Sequence, residues 1–151
     1  MTLGGNGMAE YKKILIAVDL TEQSEHVVSR GIALARLTGA DARLLHIVEY
    51  VPVEPMGEAL LPAVDIEEEL LEGARKRLDE LAIRLDIADL ERTVESGNIK
   101  SEMIRIASDW SADLIVLGSR ERHGLAVMLN LAEDTILHAA PCDVLAVRVN
   151  D

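Results

Sequence analysis

The chain has 151 residues, 49% of them hydrophobic, which suits one domain with one sizeable core and leaves no length for a second. Its 27 acidic residues outnumber 15 lysines and arginines, and the net charge of −12 repels phosphate backbones and anionic lipid, so neither nucleic acid nor a membrane is an expected partner. Cys142 is the only cysteine, which excludes an internal disulfide and a cysteine zinc cage; with no apolar run of the ~18 residues a span needs, and no signal-peptide pattern, the expected location is cytoplasmic.

Residues 1–9 are Gly-rich and read as a flexible segment, with Met8 an alternative start; residues 10–151 read as the domain. Ile14 to Val18 is a short, continuous, mostly β-branched run, the pattern of a strand buried on both faces. Thr21 is the candidate N-cap of a helix that carries Val27, Gly31, Leu34 and Ala35 and stops at Gly39. Leu44 to Val48 is a second strand, followed by an irregular stretch from 49 to 64 that holds Pro52, Pro55, Gly57 and Pro62. Asp65 and Glu68 then form a candidate capping box, and the helix places Ile66, Leu70, Ala74, Leu78, Leu81 and Leu85 on its expected buried face.

Arg92 to Glu95 alternates polar and apolar residues, as an edge strand does. Gly97-Asn98 turns it into a helix whose apolar face holds Ile99, Met103, Ile106, Ala107 and Trp110, the last an expected core anchor. Leu114 to Leu117 predicts the fourth strand, Gly118 to Gly124 a loop, and Leu125 to Ala139 a helix ended by Pro141. Val144 to Val147 is the fifth strand. Such alternation predicts an α/β fold, an open parallel sheet with helices on both faces joined by right-handed crossovers.

In such a sheet, ligands bind beyond the carboxyl ends of the strands where strand order reverses, which points to Asp19, to Val48-Glu49 and to the loop after Leu117. That loop leads into a helix N-terminus and carries Arg120, Arg122 and His123, a combination suited to an anion, although a glycine after a buried strand is also ordinary turn chemistry. His46, inside an apolar strand with no second histidine at ligand spacing, reads as a satisfied core residue. His123 and His138 have no identifiable nucleophile and orienting acid beside them, and Cys142 has no resolving partner, so no catalytic residue is assigned and the chain is not expected to be an enzyme.

Four segments, Lys13 to Asp19, Leu45 to Val48, Asp113 to Ser119 and His138 to Val147, closely resemble the universal stress protein family in order and spacing over residues 10 to 149. The resemblance implies a Rossmann-like, five-stranded parallel sheet in the order 3-2-1-4-5, often dimerised through the last strand. It also implies a pocket lined by Ala17, Asp19, Ile47, Gly118, Ser119 and Arg120. Family members that bind ATP carry Gly, two residues, Gly, nine residues, then Gly-Ser or Gly-Thr. Here Gly118 fills the first position, but Glu121 replaces the second glycine and Leu131-Ala132 the closing pair. A carboxylate about 4 Å from a phosphate charge costs about 4 kcal/mol at an effective dielectric near 20, roughly three decades of affinity, which Arg120, Arg122 and His123 could partly offset.

The resemblance therefore implies a stress-response regulatory module that lacks tight ATP binding and has no cofactor, acting as a homodimer through Val144 to Val149 and on an unknown protein partner. The alternative is a weak ATPase that uses ATP with Mg. A phosphoacceptor receiver would need an acidic pair after the first strand and a Lys after the fifth, where this chain has Asp19 alone and Arg148. A flavin carrier is disfavoured by the absence of Phe, and an adenylating enzyme by Asp19-Leu20-Thr21-Glu22, which is not a Ser-Gly-Gly phosphate loop.

Overall fold

A computed structural model describes residues 10–49, 63–119 and 139–149, with side chains in the second stretch from Ile66 onward. The expectations placed on residues 1–9, on the Pro-rich stretch up to 62 and on Arg120 to His138 lie outside the described residues. The elements are β1 (Lys13–Ala17), α1 (Ser24–Thr38), β2 (Asp41–Val48), α2 (Ala63–Arg84), β3 (Glu91–Ser96), α3 (Ile99–Trp110), β4 (Leu114–Ser119) and β5 (Asp143–Arg148). All four strand pairings are parallel and the order is β3-β2-β1-β4-β5, as expected.

The two faces of the sheet make separate cores, because alternate strand residues point to opposite sides. Ile14 and Ile16 of β1 and Val18 just beyond it, with Leu44 of β2 and Leu114 and Val116 of β4, meet Val28 and Ile32 of α1 and Ala74, Leu78 and Leu81 of α2. Leu15, Leu45, Ile47, Ile115 and Leu117 face the other way, onto Met103 and Ala107 of α3. Right-handed crossovers put α1 and α2 on one face and α3 on the other. Trp110 is a rim residue rather than a fully enclosed anchor: it is half-buried at the amino ends of the strands, with the Arg43 guanidinium 4.5 Å and the Lys13 ammonium 5.7 Å from its ring centre.

Several boundaries differ from the sequence reading. β2 starts at Asp41, where its amide donates to Lys12 O, and β4 runs through Gly118 and Ser119, which are therefore strand rather than loop. α1 starts at Ser24 with Gln23 at the cap position, not Thr21, because Thr21 is drawn into the turn around Asp19. α2 starts at Ala63, two residues before the expected capping residue Asp65. Its buried stripe is Leu71, Ala74, Leu78, Leu81 and Ala82, whereas Ile66 and Leu70 are 41% and 44% exposed. Ala74, Leu78 and Leu81 are buried as expected; the difference lies in the first turns, where Glu67 accepts a bond from Ser96 Oγ at the end of β3.

Candidate functional site

Strand register assembles the candidate site. Ile16 pairs with Val116 and Ala17 with Leu45, so two or three residues further along, Asp19 lies level with Ile47 of β2 on one side and Ser119 of β4 on the other. This is the carboxyl end of the sheet at the point where strand order reverses, since β1 leads to β2 on one side and neighbours β4 on the other. Ala17, Asp19, Ile47, Gly118 and Ser119 are thus neighbours at one end, while Arg120 lies outside the described residues.

The Asp19 carboxylate is occupied by its own loop. Oδ1 accepts the Thr21 amide at 3.1 Å, the Thr21 hydroxyl at 2.8 Å and the buried Ser24 hydroxyl at 3.0 Å. Between them Leu20 adopts the left-handed backbone region, φ 57°, a conformation that costs a side-chain-bearing residue about 1–2 kcal/mol. Two donors from elsewhere hold the strained loop. Arg77 of α2 donates to the Leu20 carbonyl at 2.5 Å, and His46 of β2 contacts the Val18 carbonyl at 2.6 Å through Nδ1. A carbonyl can only accept, so Nδ1 carries the proton. Burial, with the Arg77 charge adding to it, pushes the imidazole below the ordinary histidine range despite this bond and the nearby Asp19.

Sequence reasoning found Asp19 and the core role of His46 but missed Thr21, Ser24 and Arg77 as partners of this loop. The spacing Asp19, Thr21, Ser24 could have signalled the first two, because Asx-type turns use such offsets. Arg77 carries no local signal.

Gly118 is tightly enclosed. A β-carbon there would stand 3.1 Å from Val27 Cγ2 and 3.3 Å from Val149 Cγ2, so the space beside this glycine is already taken up by protein packing. Cys142 is partly buried against the second core, and burial first, then Asp143 and Asp113, push its thiol pKa up, as fits a packing role. Among the described residues, no group of three or more His, Cys, Asp or Glu side chains could hold a metal ion, and no helix is long and apolar enough to cross a membrane. A separate groove of about 710 Å³ opens at the amino end of the sheet between Arg36, Asp41, Ile87, Glu91 and Trp110, remote from Asp19.

The model of the universal stress protein family matches residues 10–148. The chain belongs to the universal stress protein family. Family membership brings with it a general role in stress response. Universal stress protein A homolog 2 of Coxiella burnetii is 37% identical over 143 residues, covering 94% of this chain and 98% of the relative. In fold, the chain is similar to universal stress protein UspA from Lactobacillus plantarum, with a TM-score of 0.73 at 24% identity over 93% of this chain and 99% of the other. It is also similar to a universal stress protein solved in complex with cAMP, with a TM-score of 0.60 at 19% identity over 94% and 100% of the two chains. The family's sheet order, expected from four segments, is the order observed.

Proposed function

We propose that this universal stress protein is a cytoplasmic, dimeric binding module that acts on a protein partner, does not bind ATP tightly and has no catalytic residues of its own. The observation that carries the reading is Gly118. A glycine kept for close approach to phosphate should have open space where its β-carbon would stand, but here Val27 and Val149 fill that space. Two features agree with it. Asp19 spends Oδ1 on its own loop, and Glu121, Leu131 and Ala132 stand where ATP-binding members have two glycines and a hydroxyl.

A second reading, nucleotide binding at Ala17, Asp19, Ile47, Gly118, Ser119 and Arg120, is favoured by the position of the first five at the reversal point of the sheet and by the cAMP complex of a protein with this fold. Calorimetric titration with Mg-ATP and ADP, with the denatured protein's supernatant read for carried-over nucleotide, separates the two. The binding-module reading expects no heat and no nucleotide. Micromolar binding, or adenine nucleotide released near one per chain, replaces it with the second.

A further inference from the structure

The β1–α1 loop is held by two basic side chains that come from different elements and meet over the same short stretch of backbone. His46, on the helix-covered face of β2, donates to the Val18 carbonyl, and Arg77, from the middle of α2, donates to the carbonyl of left-handed Leu20. Asp19, between those two carbonyls, is bound to Thr21 and Ser24. The arrangement is compatible with one positive charge, that of Arg77, as long as the imidazole is neutral. Among the described residues, the charged and titratable groups facing the ring are Arg77 from α2 and Asp19 from the loop. The register partner on β3 is the apolar Val94, and the neighbouring chain of β1 presents Ile14 and Ile16 on this face, followed by Val18.

We propose that His46 and Arg77 form an acid-sensitive latch on the loop that carries Asp19. When His46 gains its second proton, the imidazolium repels the Arg77 guanidinium from the Leu20 carbonyl and attracts the Asp19 carboxylate away from Thr21 and Ser24. Both forces undo the bonds that hold Leu20 left-handed, and the loop relaxes to ordinary backbone geometry. The step is a single proton taken from solvent at Nε2, while the other proton stays on Nδ1, hydrogen-bonded to the Val18 carbonyl. It links external pH to the shape of the candidate pocket through α2. The latch stands on geometry alone; its consequence for a ligand or partner rests on the reading that Asp19 belongs to the functional site.

Backbone hydrogen exchange of the full chain tests it, with protection at Thr21 to Ser24 compared at pH 7.5 and 5.5 after correction for intrinsic rates. Protection in β1 and β4 serves as the control for global opening. The expected result is a loss of about tenfold in loop protection at pH 5.5, with β1 and β4 unchanged. His46→Gln, neutral at both pH values and still able to donate, is expected to keep the loop protected throughout. Arg77→Met is expected to expose it at both. Imidazole NMR of Arg77→Met should also show His46 titrating at higher pH than in the parent chain. Loop protection independent of pH in the parent, or a pH dependence that survives in His46→Gln, overturns the latch. Binding measurements on the same variants report separately on the site, so a working latch with no ligand response would leave this inference standing and remove Asp19 from the functional reading.

Discussion

Where Gly118 would carry a β-carbon, two valine methyl groups already stand at 3.1 and 3.3 Å, one from α1 and one from the residue after β5. Both belong to short β-branched side chains, and each must give by a few tenths of an ångström to admit a β-carbon. Gly118→Ala is therefore expected to lower stability by about 1–2 kcal/mol in urea unfolding, and Val27→Ala in the same chain should recover part of that loss. A neutral Gly118→Ala would show that packing does not set this position and would reopen the phosphate explanation. His46 supplies a second test. Its folded-state pKa lies below the ordinary value of 6.5, chiefly through burial, which with the smaller effect of the Arg77 charge outweighs the Val18 hydrogen bond, so below pH 6.5 the unfolded chain binds more protons than the folded one. The stability contribution is complete above pH 6.5 and is lost as pH falls through 6.5 towards the lowered folded value, with a slope of at most about 1.4 kcal/mol per pH unit. His46→Gln should flatten that limb between pH 6.5 and 5.5, as read by urea midpoints. An unchanged limb would assign the loss to carboxylates.

At the scale of elements, α3 shows a helix start that could be read from local chemistry. Asn98 has extended backbone and its Oδ1 accepts the Ser101 amide at 2.9 Å, so Asn98→Ala should cost about 1 kcal/mol in the same assay, and Asn98→Ser much less. Gly97-Asn98 announces this turn because both residues act within three positions of the helix they begin. The stop of α1 was equally legible: Gly39 sits at φ 71° with its amide on Ala35 O, the left-handed cap that glycine takes most readily. The start of α1 was not, because Thr21 answers to Asp19 rather than to the helix. Nor was the outer half of α2. Ile66, Leu70, Leu71 and Ala74 allow two apolar stripes one residue apart, and the stripe taken goes with a tertiary contact of Glu67 to Ser96, 29 residues away in sequence, which no local pattern announces. Strands β1 and β4 were legible because apolar runs buried on both faces need no partner to be recognised, and β3 because it alternates as an edge strand does. The clamp on Leu20 was hidden because Arg77 is 57 residues away and lies on the exposed side of its helix.

For the molecule as a whole, β5 is the element on which the proposed dimer depends. It is one edge of the described sheet, and its hydrogen bonding fixes which backbone groups face outward. The Val149 amide donates to Ser119 O at 3.1 Å, and in a strand alternate residues direct their amides to the same side, so Leu145 and Val147 also bond to β4. Among the described residues, the donors and acceptors of Val144, Ala146 and Arg148 on this edge have no strand partner, and an antiparallel pair across a two-fold axis would satisfy them. Leu145, 39% exposed, would gain cover in the same step. Ala146→Pro removes one outward amide without touching a bond to β4, because proline tolerates an edge position whose amide is not used within the sheet. If Val144 to Val149 form the interface, sedimentation equilibrium should show the parent as a dimer and Ala146→Pro shifted at least tenfold towards monomer, with far-ultraviolet circular dichroism unchanged. A variant that stays fully dimeric would place the interface elsewhere. A parent chain that is monomeric at micromolar concentration would leave the edge strand exposed, and the charge of −12 would then be the feature that keeps copies apart.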